Sequence, residues 1–325
     1  MTNDRTSTRG ASTAAWTGLA GVGLVGGGLA LWSALAARTA TQLVPTDGRF
    51  IDVPGARLHY TDQGSGPPIV MIHGLMGQLR NFTHSLTGRL ARDHRVICVD
   101  RPGWGHSTLT GSTRPGIVAQ AGMIAELIGA LGLERPLVVG HSLGGAVALA
   151  MAVHHPDRVG ALALVAPLAR PQDTPPSVFR ALTAPAALRG LISWTLAVPA
   201  GTFTGPATAQ AIFAPDPVPA DFATRGGGAL ALRPQSYRAG AFELSIAHDE
   251  MAALAPRYAE IGVPVAILYG RDDAVLDAIY HGEEAAGQLP GATVELIAGG
   301  HMLPVTRPDE TAAFVRSVAA RMATR

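Results

Sequence analysis

Short apolar runs alternate with longer amphipathic stretches along most of this chain. Phe50–Val53 and Arg57–Asp62 each alternate apolar and polar positions and are split by Pro54-Gly55, which predicts a β-hairpin. Ile69–Ile72 predicts a buried strand ending at His73-Gly74, and Gln78–Leu90 a helical stretch. The series continues with a strand at Arg95–Val99, a helix near Ile117–Leu131, a strand at Leu137–Val139, a helix at Leu143–His154 and a strand at Ala161–Val165. It breaks over residues 170–245, where ten prolines and Gly226-Gly227-Gly228 predict short helices and loops. Alternation resumes with a strand at Val265–Tyr269, a helix from about Ala278, a strand at Thr293–Ile297 and a helix from Pro308 to about Met322. Strands alternating with helices predict an α/β fold: a mostly parallel central sheet with helices on both faces, interrupted by a helical insertion.

The N-terminal segment has a different character. No charged residue occurs from Gly10 to Ala37, and Trp16 and Trp32 stand near the ends of the run Ala14–Ala37. Such a run matches the roughly 20 apolar residues a bilayer core requires, so a transmembrane or signal-anchor helix is expected over 14–37, with the membrane as partner. A cleaved signal peptide ending at Ala34-Leu35-Ala36, giving a secreted or periplasmic protein, is the rival expectation. Arg5 and Arg9 balance Arg38 and Arg49, leaving either orientation open. The expected organisation is a tail (1–13), the span (14–37), a linker (38–48), a core (49–169), the insertion (170–245) and the rest of the core (246–325).

Composition narrows the chemistry. The chain has 325 residues, 47% hydrophobic and 15% charged, which excludes disorder as the main state. Its formal charge is +1, and no basic block could track a phosphate backbone, so no nucleic-acid partner is expected. All 25 basic residues are arginine, which removes Schiff-base chemistry, a pyridoxal-phosphate anchor, a Ser-Lys dyad and lysine-dependent phosphate loops. The single cysteine, Cys98, excludes an internal disulfide and cysteine-based metal clusters. Ser, His, Asp, Glu and Arg remain.

Gly140-His141-Ser142-Leu143-Gly144-Gly145 uses that set. It lies between a predicted strand and a predicted helix, the context in which a G-x-S-x-G turn exposes a serine as a nucleophile. In an elbow of this kind the acid and then the histidine follow the serine. His281 and His301 both come late enough; His281 falls in a predicted helix, whereas Gly299-Gly300-His301 follows a strand and makes His301 the candidate base. Gly270-Arg271-Asp272-Asp273 supplies the acid at the end of a strand, with Asp272 and Asp273 both open and Asp277 more distant. An oxyanion hole needs two backbone N–H groups, here Leu143 and, in His73-Gly74-Leu75-Met76-Gly77, preferably Leu75.

From about Gly48 to the C-terminus the chain resembles the α/β-hydrolase superfamily, the insertion only in kind. The resemblance implies Ser142 as nucleophile, His301 as base, Leu75 and Leu143 as oxyanion donors and, from the G-x-x-D pattern, Asp273 as acid. Asp100-Arg101-Pro102-Gly103-Trp104-Gly105-His106-Ser107 is similar to the family's D-x-P-G-x-G-x-S loop. The insertion is similar to the helical cap of the branch with esterases, haloalkane dehalogenases, epoxide hydrolases and ring-cleavage-product hydrolases.

Departures sort the reactions. Dehalogenases and epoxide hydrolases of this family use an aspartate nucleophile, where this chain has Ser142. Carbon–carbon bond hydrolases usually carry tryptophan after the catalytic histidine and asparagine before the serine; Met302 and His141 stand there. The resemblance therefore implies a serine carboxylesterase or lipase-like enzyme with no metal or organic cofactor. Its substrate would be a small-molecule ester, and the apolar stretches Ala181–Leu188 and Leu191–Val198 suggest an apolar acyl chain. Carbon–carbon bond hydrolases and cofactor-free haloperoxidases or perhydrolases are the alternatives on the same triad. A non-catalytic ligand-binding protein of the same fold is the alternative of another class.

Overall fold

A computed structural model describes the backbone of residues 8–323 and the side chains of residues 23–322. Nine strands form one sheet: β1 (Arg49–Val53), β2 (Ala56–Gln63), β3 (Pro68–Ile72), β4 (Arg95–Val99), β5 (Thr108–Leu109), β6 (Leu137–His141), β7 (Ala161–Val165), β8 (Val265–Gly270) and β9 (Thr293–Ile297). Their order is β1-β2-β4-β3-β6-β7-β8-β9, with β5 added beside β2. The expected hairpin is present, Val53 opposite Ala56 and Phe50 opposite His59, and all pairings from β4-β3 to β9 are parallel. The mostly parallel sheet expected from the pattern is present, and it is the α/β-hydrolase fold that the resemblance implies.

The central strands β3, β4, β6, β7 and β8 are buried on both faces because helices cover both. Successive strand residues point to opposite sides: Val70, Ile72 and Val138 join one apolar cluster, with the helices Ile117–Ala130 and Leu143–His154. Ile69, Met71 and Val139 join the other, with Phe314, Val315 and Val318 of the C-terminal helix Pro308–Ala323. Leu143 through Val153 are all buried, which explains why that helix is apolar all round.

Strand order positions the site. β3 lies between β4 and β6, so the connections from β3 and β6 part at the carboxyl edge of the sheet, where such folds hold ligands. Ile72 pairs with Gly140, setting the loop after β3 directly beside the turn after β6. Gly270 pairs with Ile297, setting the loops after β8 and β9 side by side.

The insertion between β7 and β8 contains the helices Val198–Phe213 and Pro234–Leu254 and several short turns, and it forms the cap. The second of these runs beyond position 245, because Met251 and Leu254 pack into the main core.

The N-terminal expectations change most. A 36-residue helix, Thr8–Leu43, runs through part of the stretch expected to be a linker. It continues because nothing before Pro45 breaks it and because Ala40 and Val44 bury against Ala229 and Leu230 of the cap. Trp32 meets Phe203 of the cap at 5.9 Å between ring centroids, and Ser33 is fully buried. Among the described residues no helix is long and apolar enough to cross a membrane. The expected spanning anchor and membrane partner therefore find no support; the side chains of 14–22 and all of residues 1–7 lie outside the described residues. In the described part, glycines 23 and 26–28 add no apolar side chain, and the helix beyond them is committed to the cap.

Candidate active site

Ser142 sits at the turn between β6 and the helix Leu143–His154 with φ 54 and ψ −124. This conformation costs a non-glycine residue on the order of 1–3 kcal/mol and persists only where the surroundings enforce it. Here the Ser142 N–H donates to Val165 O (3.1 Å), while Ser142 O accepts from Gly145 (2.8 Å) and Leu168 (2.9 Å). Gly144 is required by close approach: a Cβ there would lie 2.1 Å from Ile72 O. The side chain of Ser142 borders a cavity of about 50 Å³, with Leu75, Leu143, Phe179, Leu244 and Leu276 among its walls.

The structure separates the two candidate acids. Asp273 accepts from His301 Nδ1–H at 2.7 Å on Oδ2, and from the Val275 and Leu276 N–H groups at 2.8 and 3.0 Å on Oδ1. Asp272 is exposed, and Asp277 accepts from the Ile279 and Tyr280 N–H groups at the start of the next helix. Burial opposes ionisation of Asp273 most strongly, yet the charge and hydrogen bond of His301 together with the two backbone donors outweigh it and hold its carboxyl below the ordinary value. The acid and base loops are also tied by backbone bonds, Arg271 N–H to Ile297 O (2.8 Å) and Asp272 N–H to Gly299 O (3.1 Å).

His301 is brought to the elbow by its neighbour there. His141 Nε2–H donates to His301 O at 3.0 Å, and the two rings lie 5.0 Å apart. Burial first, and the charge of His301 second, lower the pKa of His141 to about 3, so it is a neutral donor at ordinary pH. His281, the other late histidine, is buried away from this contact; its Nδ1 accepts from Ala169 and Arg170 N–H, and burial first of all lowers its pKa to about 4.

The loop after β3 comes up against the serine: a Cβ on Gly74 would stand 3.2 Å from Ser142 Oγ. Leu75 lines the same cavity as Ser142 and Leu143. Leu143 opens its helix, where first-turn N–H groups lack intrahelical acceptors. The arrangement thus offers a strained hydroxyl beside the cavity, an imidazole oriented by a carboxylate, and the two residues Leu75 and Leu143 in the cavity wall. Among the described residues no group of three His, Cys, Asp or Glu side chains converges as a metal site.

Sequence reasoning missed a buried polar cluster behind the loop. Arg101 and Glu243, 0% and 4% exposed at their side chains, form an ion pair at 2.7 Å. Glu243 also accepts from Trp104 Nε1 (2.7 Å) and Gln120 Nε2 (2.8 Å). The available signal was a lone acid within the apolar stretch Ala239–Ile246.

Comparison with known proteins bears on the family and the fold. A family model described as alpha/beta hydrolase fold matches residues 67–308. The dihydrolipoyllysine-residue acetyltransferase component of an acetoin cleaving system from Cupriavidus necator is 41% identical over 123 residues, 37% of this chain and 32% of that protein. The chain thus spans about a third of that relative's length. A solved structure of a membrane phospholipase A superposes with a TM-score of 0.67 at 22% identity, over 98% of this chain and 100% of that one. The enol-lactonase from Burkholderia xenovorans LB400 superposes at 0.66 and 23% identity, over 85% and 100%. A parallel sheet with a serine elbow between β6 and its helix, matched by the family across most of its length, makes this chain a member of the α/β-hydrolase fold family.

Proposed function

We propose that this hydrolase-fold chain is a serine hydrolase that cleaves carboxylic esters through Ser142, His301 and Asp273. The observation that carries the reading is the 2.7 Å bond from His301 Nδ1–H to Asp273, on a histidine whose carbonyl is bonded to the residue just before a strained serine. Asp273 fixes the tautomer that leaves His301 Nε2 free to accept a proton. Ser142 Oγ attacks the ester carbonyl carbon as its proton passes to His301, and the carbonyl oxygen becomes an oxyanion facing the Leu75 and Leu143 N–H groups. Collapse expels the alcohol, which takes the proton from His301 and leaves an acyl-Ser142 ester. Water then attacks that ester, with His301 again taking and returning a proton, and releases the carboxylic acid.

The walls of the cavity favour an apolar acyl group: Leu75, Leu168, Phe179, Leu244, Val275 and Leu276 surround Ser142. The test is turnover of p-nitrophenyl esters from acetate to palmitate by the wild type and Ser142→Ala. Loss of nearly all turnover in the variant is expected, and unchanged turnover overturns the reading.

A further inference from the structure

We propose that the cap aims one of the oxyanion donors, with Arg101 and Glu243 acting as positioning residues. This inference rests on the serine-hydrolase reading above. A peptide unit is planar and trans, so the Leu75 N–H points opposite to the Gly74 carbonyl with which it shares a plane. Whatever grips Gly74 O on one side therefore sets the direction of Leu75 N–H on the other.

Gly74 O accepts from Gly77 N–H within its own loop at 3.2 Å and is gripped from behind as well. Arg101 Nη2 donates to it at 3.0 Å and His73 Nδ1–H at 2.8 Å, while Arg101 Nε donates to His73 O at 2.8 Å. His73 is a consistent partner: burial and the neighbouring Arg101 charge lower its pKa to about 3, so Nδ1 donates while Nε2 accepts from the Arg101 N–H at 3.0 Å. The guanidinium also polarises this peptide unit, which strengthens the N–H at its far end as a donor.

Arg101 is oriented in turn from the cap. Glu243, on the helix Pro234–Leu254, takes Arg101 Nη1 at 2.7 Å and Nη2 at 3.1 Å, a two-pronged grip that fixes the guanidinium plane. One turn back on the same helix face, a Cβ at Gly240 would lie 2.8 Å from Met76 Sδ, so the helix also touches the residue after Leu75. Met76 itself has φ 56, a conformation that needs such support. Farther along, Gln78 Nε2 and Asn81 Nδ2 both donate to Gly226 O of the cap, at 2.8 and 3.2 Å. The cap therefore holds the loop at several points, and the ion pair is the one that reaches the Gly74–Leu75 peptide.

An oxyanion donor acts in the transition state, so disturbing its aim lowers kcat and leaves KM nearly unchanged. Glu243→Gln keeps the shape and removes the charge. Arg101→Lys keeps the charge, and so a paired interior, but one ammonium cannot hold the two carbonyls and the carboxylate as the fork does. Both folded variants, assayed on p-nitrophenyl butyrate, should lose about 10- to 100-fold in kcat, somewhat less than outright removal of such a donor costs. Their KM should stay within about threefold, and the inhibition constant of butylboronic acid, whose serine adduct carries the same oxyanion, should rise in step with the kcat loss. Circular dichroism identifies folded material; if Glu243→Gln fails to fold, Arg101→Lys decides. Wild-type kcat and boronate affinity in a folded variant overturn the proposal while Ser142-dependent turnover leaves the esterase reading standing. Turnover that persists in Ser142→Ala sinks that reading instead.

Discussion

His141 donates its ring N–H to the backbone carbonyl of His301 at 3.0 Å, so the last residue of β6 steadies the loop that carries the candidate base. Because burial keeps His141 neutral, it does this without placing a second positive charge beside His301. His141→Phe keeps a ring and loses the donor. One buried hydrogen bond is worth about 1 kcal/mol, so kcat on ester substrates should fall by roughly fivefold to tenfold. Steady-state kinetics on a folded variant checks it; an unaltered kcat would mean that the loop holds its place without this bond.

The two adjacent aspartates should behave very differently. Asp273→Asn retains volume but can present its NH₂ to His301, favouring the wrong tautomer, and kcat should fall by about 10³- to 10⁴-fold. Asp272→Asn, on an exposed side chain, should stay within about twofold, as surface substitutions generally do. Equal losses in the two variants would assign the acid wrongly.

Gly144 has no room for a methyl group. A Cβ there would lie 2.1 Å from Ile72 O and 2.6 Å from His73 O, both backbone atoms that cannot swing aside. Gly144→Ala should therefore destabilise the fold by about 3 kcal/mol, the upper part of the usual overpacking range. Thermal denaturation should register this as a loss of about 4–5 °C in a chain of 325 residues. A wild-type melting temperature would contradict the tight packing of the elbow.

Acid should weaken the fold through buried histidines. His73 and His141 are lowered to about 3 and His281 to about 4, in each case chiefly by burial, against an ordinary value of 6.5. Between those limits the unfolded chain binds more protons than the folded one. Stability is then full above about pH 6.5 and falls as the pH drops, approaching about 1.4 kcal/mol per pH unit for each histidine. Melting temperature should decline from pH 7.5 to pH 5. In His281→Gln, which keeps an acceptor for the Ala169 and Arg170 N–H groups, the decline should be shallower. Parallel pH profiles for wild type and variant would remove His281 from the explanation.

Local patterns carried the sheet and the elbow because their causes are local. Pro54-Gly55 makes a turn wherever it occurs between alternating runs, and Ser142 needs only a strand before it and a helix after it. The choice between Asp272 and Asp273 depends on which carboxylate faces a loop 28 residues away, which neighbours in sequence do not reveal. Arg101 and Glu243 lie 142 residues apart, and each reads alone as an ordinary charged residue. The expected anchor finds no support in the described part for a related reason. An uncharged, glycine-rich run has the same composition whether it meets lipid or the side of a cap, and only the contacts of Trp32, Ala40 and Val44 distinguish the two in the described part.

The seat that Glu243 takes opposite Arg101 has an engineering consequence. Transplanting the insertion of another hydrolase onto this sheet would strand a guanidinium in the interior unless the donor segment brought a carboxylate to the same spot. In this chain such a graft would have to begin from one acidic position and build outward.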